Sequence, residues 1–344
     1  MIPRGNGLLP RGMADPNEVR RVVEDLQKAV TSTSITGRLL VREDLQEEMA
    51  LATPTDTPIR NRLRRFPGNG SAHSWYRLTP TVATPEGRFL GTGPHAGFFA
   101  AGGLPTAVQA SYVLDSAPYV SLGDIAQVSF FEQMAGKSYA DNKARQIKMK
   151  MINVAIIEEW AIINGDSTYG SGYEFSGFSQ SITTNQTDMG NVAITLAAVS
   201  TTARNIATLG GKPQFVVFSY RDKQKFSELV LTSYYRLFQQ GGGGLADVPA
   251  GISVNRWISD FGLMDIIGSR YIYPATGYTA HNAYVIDDAT ITDDGNAVAM
   301  VDLMPVSAID LAITNTAYRT LVAEFTLLMM TCEVFQAKII NIEA

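Results

Sequence analysis

Residues 138–166 read SYADNKARQIKMKMINVAIIEEWAIINGD, and this stretch decides the architecture. Ser138 followed by Asp141 has capping-box spacing, with Asp in place of the usual Glu, and Asn164-Gly165 is a helix stop. At 1.5 Å per residue, about 26 residues make a rod about 39 Å long. Lys143, Arg145, Lys148 and Lys150 fall in its first half, and Ile152, Ile156 and Ile157 in its second. One end is therefore expected to be wet and the other buried, as in the backbone helix of a larger domain.

Upstream, from Gly68 to Gly136, the chain is rich in Gly, Pro, Thr and Ser and carries short alternating runs such as His73–Leu78 and Thr106–Val113. That pattern predicts strands and turns in a long hairpin-like loop. Its middle, from Phe98 and Phe99 to Leu104, is apolar but broken by glycine, which suits contact with another chain. Still earlier, Met1–Phe66 holds 11 Lys+Arg against 9 Asp+Glu, whereas the remainder holds 17 against 24. This segment reads as an arm. Asp15, Pro16 and Glu18 start a helix whose stripe is Val19, Val22, Val23, Leu26 and Val30; a second short helix is expected over Val41–Ala50, and extended chain over Thr53–Pro58. Two short helices cannot bury enough surface alone, so the stripes must pack on the body or, as favoured here, on another subunit.

Downstream of a polar, glycine-rich excursion (Asp166–Asn191), an α/β pattern begins: a helix over Ile194–Leu209, a strand over Gln214–Ser219 and a helix over Arg221–Leu237. The tetraglycine Gly241, Gly242, Gly243 and Gly244 marks a flexible loop. Strands are expected near Ile252–Trp257 and Tyr284–Asp287, then in the apolar runs Ala308–Ile313 and Leu321–Ile342. No repeat of 20 to 50 residues is evident. The fold class is α+β.

A length of 344 residues fits two domains or one elaborated domain. Hydrophobic residues at 45% and charged residues at 18% exclude a disordered chain. A net charge of −5 gives no general basic field for holding nucleic acid. Cys332 is the one cysteine, which removes intrachain disulfides and Cys-rich zinc sites. The best candidate for a membrane span, Met151–Ile157, is seven residues closed by Glu158 and Glu159, and Met1–Pro10 lacks the apolar segment of a secretory signal. A soluble intracellular origin without membrane contact is expected.

Sites of chemistry are hard to find. No Gly-Lys-Ser/Thr follows the tetraglycine, and Leu245-Ala246-Asp247 puts a carboxylate where a phosphate cradle needs lysine. Gly91, Gly93 and Gly97 miss the dinucleotide spacing by one residue, and Pro94 blocks the helix start. His73, His95 and His281 are too scattered for a metal site. Cys332 lies in the apolar run Leu327–Phe335 and reads as an inert thiol. Glu158 and Glu159 lie about 100° apart on a helix, do not converge, and read as a salt-bridged helix surface. Arg60, Arg62, Arg64 and Arg65 suit either phosphates or the carboxylates of a neighbouring subunit, the second being favoured. No catalytic, cofactor or metal site is predicted.

The order of arm, glycine-rich β loop, long helix, small α/β domain and returning strands resembles the major capsid proteins of tailed bacteriophages, with the Hong Kong 97-like fold. The resemblance is carried by Ala52–Pro58 leading to Trp75-Tyr76, by the helix ending Glu158–Asp166, and by the strand Lys212–Phe218. It implies an N-terminal arm (1–66), an extended loop with flanking strands (67–136), a peripheral domain with a spine helix (137–191 and 306–344) and an axial domain (192–305), the C-terminal strands closing the peripheral domain. It further implies self-association instead of turnover: hexamers and pentamers of an icosahedral head, built in the host cytoplasm around double-stranded DNA that the protein touches indirectly. A portal protein and a separate scaffolding or decoration protein are the expected partners. Some relatives crosslink through a lysine of the extended loop, but here no lysine occurs between Lys28 and Lys137, so a noncovalent shell is expected. With an arm starting near Met1, no cleaved scaffolding extension is expected, and scaffolding is expected to be a separate protein or absent. Arg60, Arg62, Arg64, Arg65, Phe98, Phe99, Leu104 and Gly241–Gly244 are the candidate subunit-interface residues. Two alternatives are an encapsulin-like compartment and, from another class, an α/β enzyme binding a phosphorylated ligand at the tetraglycine.

Overall fold

The computed structural model describes residues 55–78, 101–103, 112–136, 141–169, 172–240, 254–272, 280–288, 290–292, 295–313 and 315–343. The expected arm helices, Phe98, Phe99, Leu104 and Gly241–Gly244 lie outside these residues. In chain order the elements are α1 (Pro58–Arg62), β1 (Arg65–Pro67), β2 (Ala72–Leu78), β3 (Tyr112–Pro118), β4 (Val120–Ser129), α2 (Phe130–Gly136), α3 (Asn142–Asn164), α4 (Phe178–Ser181), β5 (Gln186–Val192), α5 (Leu196–Thr208), β6 (Phe215–Phe218) and α6 (Tyr220–Gln240). There follow β7 (Arg256–Ser259), β8 (Gly262–Gly268), β9 (Ala280–Ile286), the short pair β10 (Thr290–Thr292) and β11 (Gly295–Asn296), then β12 (Val298–Asp310), β13 (Ala317–Met330) and β14 (Ala337–Glu343). No helix among the described residues is long and apolar enough to cross a membrane.

The long helix α3 starts later than the sequence predicts. Asp141 is its N-cap, not its third residue: the Asp141 carboxylate accepts from the Ala144 amide at 3.2 Å, so the single side chain does what Ser138 was expected to begin. The stop at Gly165 is as predicted, with the Gly165 amide donating to the Ala161 carbonyl at 2.8 Å. Its buried positions are Val154, Glu158, Glu159, Ala161, Ile162 and Ile163, all in the C-terminal half. The helix packs on β4 and β13 of a four-stranded sheet ordered β1-β12-β13-β4. β4 pairs with β13 over ten unbroken residues, from Ala317↔Ser129 to Thr326↔Val120. The β12–β13 register shifts after Asp302 and again after Met304, beside Pro305, whose missing amide cannot serve a ladder.

A second sheet is six-stranded and mixed, ordered β5-β14-β9-β6-β8-β7, and β2–β3 and β10–β11 form separate two-stranded pairs. All four β6 residues are buried, because Phe215 and Val217 face the α3 core while Val216 and Phe218 face a second core with Val199, Ile206, Phe226 and Ile339. A strand covered on both faces reads as a continuous apolar run, which is why Phe215–Phe218 was visible from sequence. The hairpin-like loop is present at its base: β2 and β3 pair antiparallel, from Ala72↔Pro118 to Leu78↔Tyr112.

Val298–Pro305, assigned to the axial portion, lies in the four-stranded sheet, whereas β5 and the last strand β14, assigned to the peripheral portion, pair with each other in the six-stranded sheet. The apolar run Leu321–Ile342 is two strands, not one. The 3-10 turn Glu333–Phe335 divides it, held by Glu333, which accepts from the Thr183 and Thr184 amides at 2.7 and 2.6 Å and redirects the chain. The supposed excursion 166–191 thus carries α4 and most of β5, neither predicted, and β8 was also missed.

Candidate assembly site

Helix α1 is five residues long and carries no cap from Thr57. Its free amides go elsewhere: Ile59 and Arg60 donate to the two oxygens of Glu159, at 3.1 and 2.6 Å, so a carboxylate of α3 caps α1 across the interface. Ile59 and Leu63 then bury beside Ile162, Ile163 and Met300.

The arginines close the junction. Arg60 Nε and Arg65 Nη2 both bond the Glu158 carboxylate, and Arg65 Nη1 reaches both oxygens of Asp302 on β12, at 2.9 and 3.1 Å. Arg62 points the other way, to Asp265 on β8 at 2.6 Å and Asp288 at 3.1 Å, with its guanidinium 4.5 Å from the Phe215 ring centroid. One short segment therefore ties α3, the four-stranded sheet and the six-stranded sheet together. Burial works against the Arg65 charge, but Glu158 and Asp302 outweigh it and raise the guanidinium above its ordinary value.

One sequence expectation is corrected here. Glu158 and Glu159 are fully buried and do not form a helix surface, although they diverge as expected and take different partners. Arg60, Arg62 and Arg65 pair with carboxylates of their own chain, because the turn of α1 followed by β1 fans their side chains onto α3, β8 and β12. Arg64 differs: its side chain is exposed and has no ion pair among the described residues, while its carbonyl accepts from Met300 at 2.9 Å.

The β2–β3 ribbon has two unlike faces. Trp75, Ala117 and Tyr119 pack on Ala299, Val301, Leu327 and Met329 of the four-stranded sheet. On the opposite face Tyr76, which pairs with Leu114, is 73% exposed, Leu114 56% and Tyr112 67%. Sequence reasoning placed the apolar contact at the loop tip and missed this base; the i, i+2 alternation of Tyr112 and Leu114 opposite Tyr76 was the available signal.

Ser219, Asp222 and His281, a residue set suggestive of hydrolysis, form a buried cluster. Asp222 and Ser219 both meet the same imidazole nitrogen, Nε2, the serine at 3.4 Å. A relay needs the nucleophile and the orienting carboxylate on different nitrogens of the imidazole, and all three side chains are buried, so the cluster ties the start of α6 to β9. Cys332 lies in the turn before Glu333–Phe335, half-buried, and burial pushes its thiol up, in keeping with an inert group.

A long helix on a four-stranded sheet, a separate six-stranded mixed sheet flanked by helices and a two-stranded ribbon define a capsid subunit of the Hong Kong 97-like fold. The chain belongs to the SU10 major capsid protein family, whose model matches residues 107–334. It is a major capsid protein of a phage head. Among solved structures it is similar to the cyanophage A-1(L) capsid subunit, at 11% identity and TM-score 0.62 over 88% of this chain and 97% of that one. It is similar to the subunit of Gordonia phage Cozz, at 14% identity and TM-score 0.59 over 91% and 96%. The same fold occurs in the holo-SrpI encapsulin complex from Synechococcus elongatus, at 11% identity and TM-score 0.59 over 91% and 96%. No curated protein sequence matches the chain.

Proposed function

We propose that the chain assembles as hexamers and pentamers of an icosahedral head that encloses double-stranded DNA, and that the contacts between subunits are noncovalent. The observation that carries this is the β2–β3 ribbon, whose Tyr76, Tyr112 and Leu114 face is exposed in the single chain. A two-stranded ribbon is marginal by itself, and an apolar face on its outer side is best covered by another copy. The absence of lysine between Lys28 and Lys137 supports a shell without lysine crosslinks from this loop. In this reading α3 and the four-stranded sheet are the peripheral domain, and the six-stranded sheet with α5 and α6 is the axial domain. Arg64, Phe98, Phe99, Leu104 and Gly241–Gly244 are the remaining interface candidates. Assembly takes place in the host cytoplasm, with a portal protein at one vertex and a separate scaffolding or decoration protein as further partners. The encapsulin likeness is one of fold, and the family match favours the phage head over a cargo compartment. Light scattering on a sizing column tests the proposal: particles of many megadaltons support it, and a stable monomer or small dimer across salt and concentration overturns it.

A further inference from the structure

We propose that Glu324, with Glu158 and Glu159, forms a proton-dependent latch that fastens Thr57–Pro67 to α3 and the four-stranded sheet. The proposal rests on the capsid reading only for its consequence in assembly. Its starting point is a charge imbalance. Around the buried Glu158 stand Glu159 on the same helix, Glu324 on β13 and Asp302 on β12, four carboxyl groups in all, against the two guanidiniums Arg60 and Arg65 from the fastened segment. The other charged pair on this face, Lys150 of α3 with Asp124 of β4, is complete in itself at 2.8 Å. Asp56 and Tyr271 flank Glu159, and Arg270, the cation on this side, acts on Tyr271 and Tyr220.

Four ionised carboxyls would leave the cluster with two uncompensated negative charges, which burial makes costly. The geometry shows which two groups lack a hydrogen-bonded counter-ion. Glu158 takes both guanidiniums, and Asp302 takes Arg65 together with the Thr326 hydroxyl at 2.7 Å. Glu159 has two backbone amides and no cation within ion-pair distance among the described residues. Glu324 is fully buried, both of its oxygens lack a donor, and Arg60 Nη2 stands off at 3.9 Å. The polar group within its bonding reach is the Glu158 carboxyl, itself an acceptor. Two carboxyls bond each other only through a proton, so Glu324 is the neutral acid that donates to Glu158.

Burial first, then the Glu158 charge, pushes Glu324 up to about 8 against the opposing pull of Arg65 and Arg60. Burial likewise pushes Glu159 up to about 7 against its backbone hydrogen bonds. Both folded values lie above the ordinary 4.5. The stabilisation they bring is therefore fully present below that value, and is lost as pH rises through 7 and then 8. The latch is tightest in acid, loosens as pH rises through neutrality and is fully weakened above about pH 8.

The test is amide hydrogen exchange of residues 57–67 in the full chain, kept as free subunits, at pH 6, 7.5 and 9, for wild type and Glu324→Gln, corrected for intrinsic exchange. The glutamine imitates the protonated acid. Wild type should open these amides more steeply than Glu324→Gln between pH 6 and 7.5, by about a further tenfold per pH unit because one more proton is released on opening, and should level off above pH 8. Glu324→Gln should open less than wild type from pH 6 upward, keeping only the step of Glu159, which levels off above about pH 7. A Glu324→Gln chain that fails to fold, or that opens with the wild-type profile, overturns the latch, as does a flat wild-type profile. Particle formation followed in parallel separates the two claims: no shells at any pH contradicts the capsid reading alone, and shells with a flat exchange profile contradict the latch alone.

Discussion

One nitrogen of Arg65 reaches both carboxylate oxygens of Asp302, at 2.9 and 3.1 Å, while its other terminal nitrogen holds the fully buried Glu158. Removing one partner of such a group strands a buried charge, which costs roughly 3–5 kcal/mol. The Arg65 side chain is 26% exposed, so Arg65→Ala should fall near the lower bound. Its neighbour Arg64 is exposed, and Arg64→Glu should change stability by less than about 0.5 kcal/mol. Urea unfolding of the two variants checks the contrast; equal losses would contradict the inward assignment of Arg65.

Gly165 and Gly177 meet backbone to backbone. The Gly177 amide donates to the Gly165 carbonyl at 2.9 Å, and a Cβ on residue 177 would lie 2.5 Å from the Ala161 carbonyl oxygen and 2.8 Å from the Gly165 nitrogen. Backbone atoms have little room to yield, so Gly177→Ala should destabilise the chain by about 2–3 kcal/mol through overpacking at the end of α3. Chemical denaturation gives the number, and a neutral effect would mean that this junction is looser than described.

The exposed face of the ribbon separates folding from assembly. Tyr76→Asp together with Leu114→Asp removes apolar surface that the single chain leaves in water, so subunit stability should change by less than about 1 kcal/mol. The same double variant should yield no closed particles by negative-stain imaging. Normal particles would show that this face is not an intersubunit contact.

Shells held by noncovalent contacts come apart when denatured. Boiled in detergent, purified particles should give one band at 37.3 kDa, and a ladder of higher species would reveal a crosslink from outside the lysine-free region.

Much of this architecture is legible in the sequence, for identifiable reasons. The long helix declares itself through its stop at Gly165, and β6 through an apolar run buried on both faces. The α5 helix starts where Thr195 caps it, through the Ala198 amide at 3.2 Å, close to the expected boundary. What was illegible depends on distant partners. β5 reads QTDMGNV and lacks any apolar pattern; it is a strand because β14 lies parallel to it. Glu158 and Glu159 look like solvated residues in a helical repeat, and only the arrival of Ile59, Arg60 and Arg65, more than 90 positions earlier, makes their burial tolerable. The arginine cluster was noticed for its density, but its side chains serve the chain's own carboxylates, a distinction that spacing alone does not carry.

Cryo-electron microscopy of the purified particles tests the central claim most directly. The account predicts closed icosahedral shells with five-fold and six-fold capsomers, in which the Tyr76, Tyr112 and Leu114 face of each ribbon lies against a neighbouring subunit. Monomers or small oligomers under all assembly conditions, or shells in which that face remains in solvent, would contradict it.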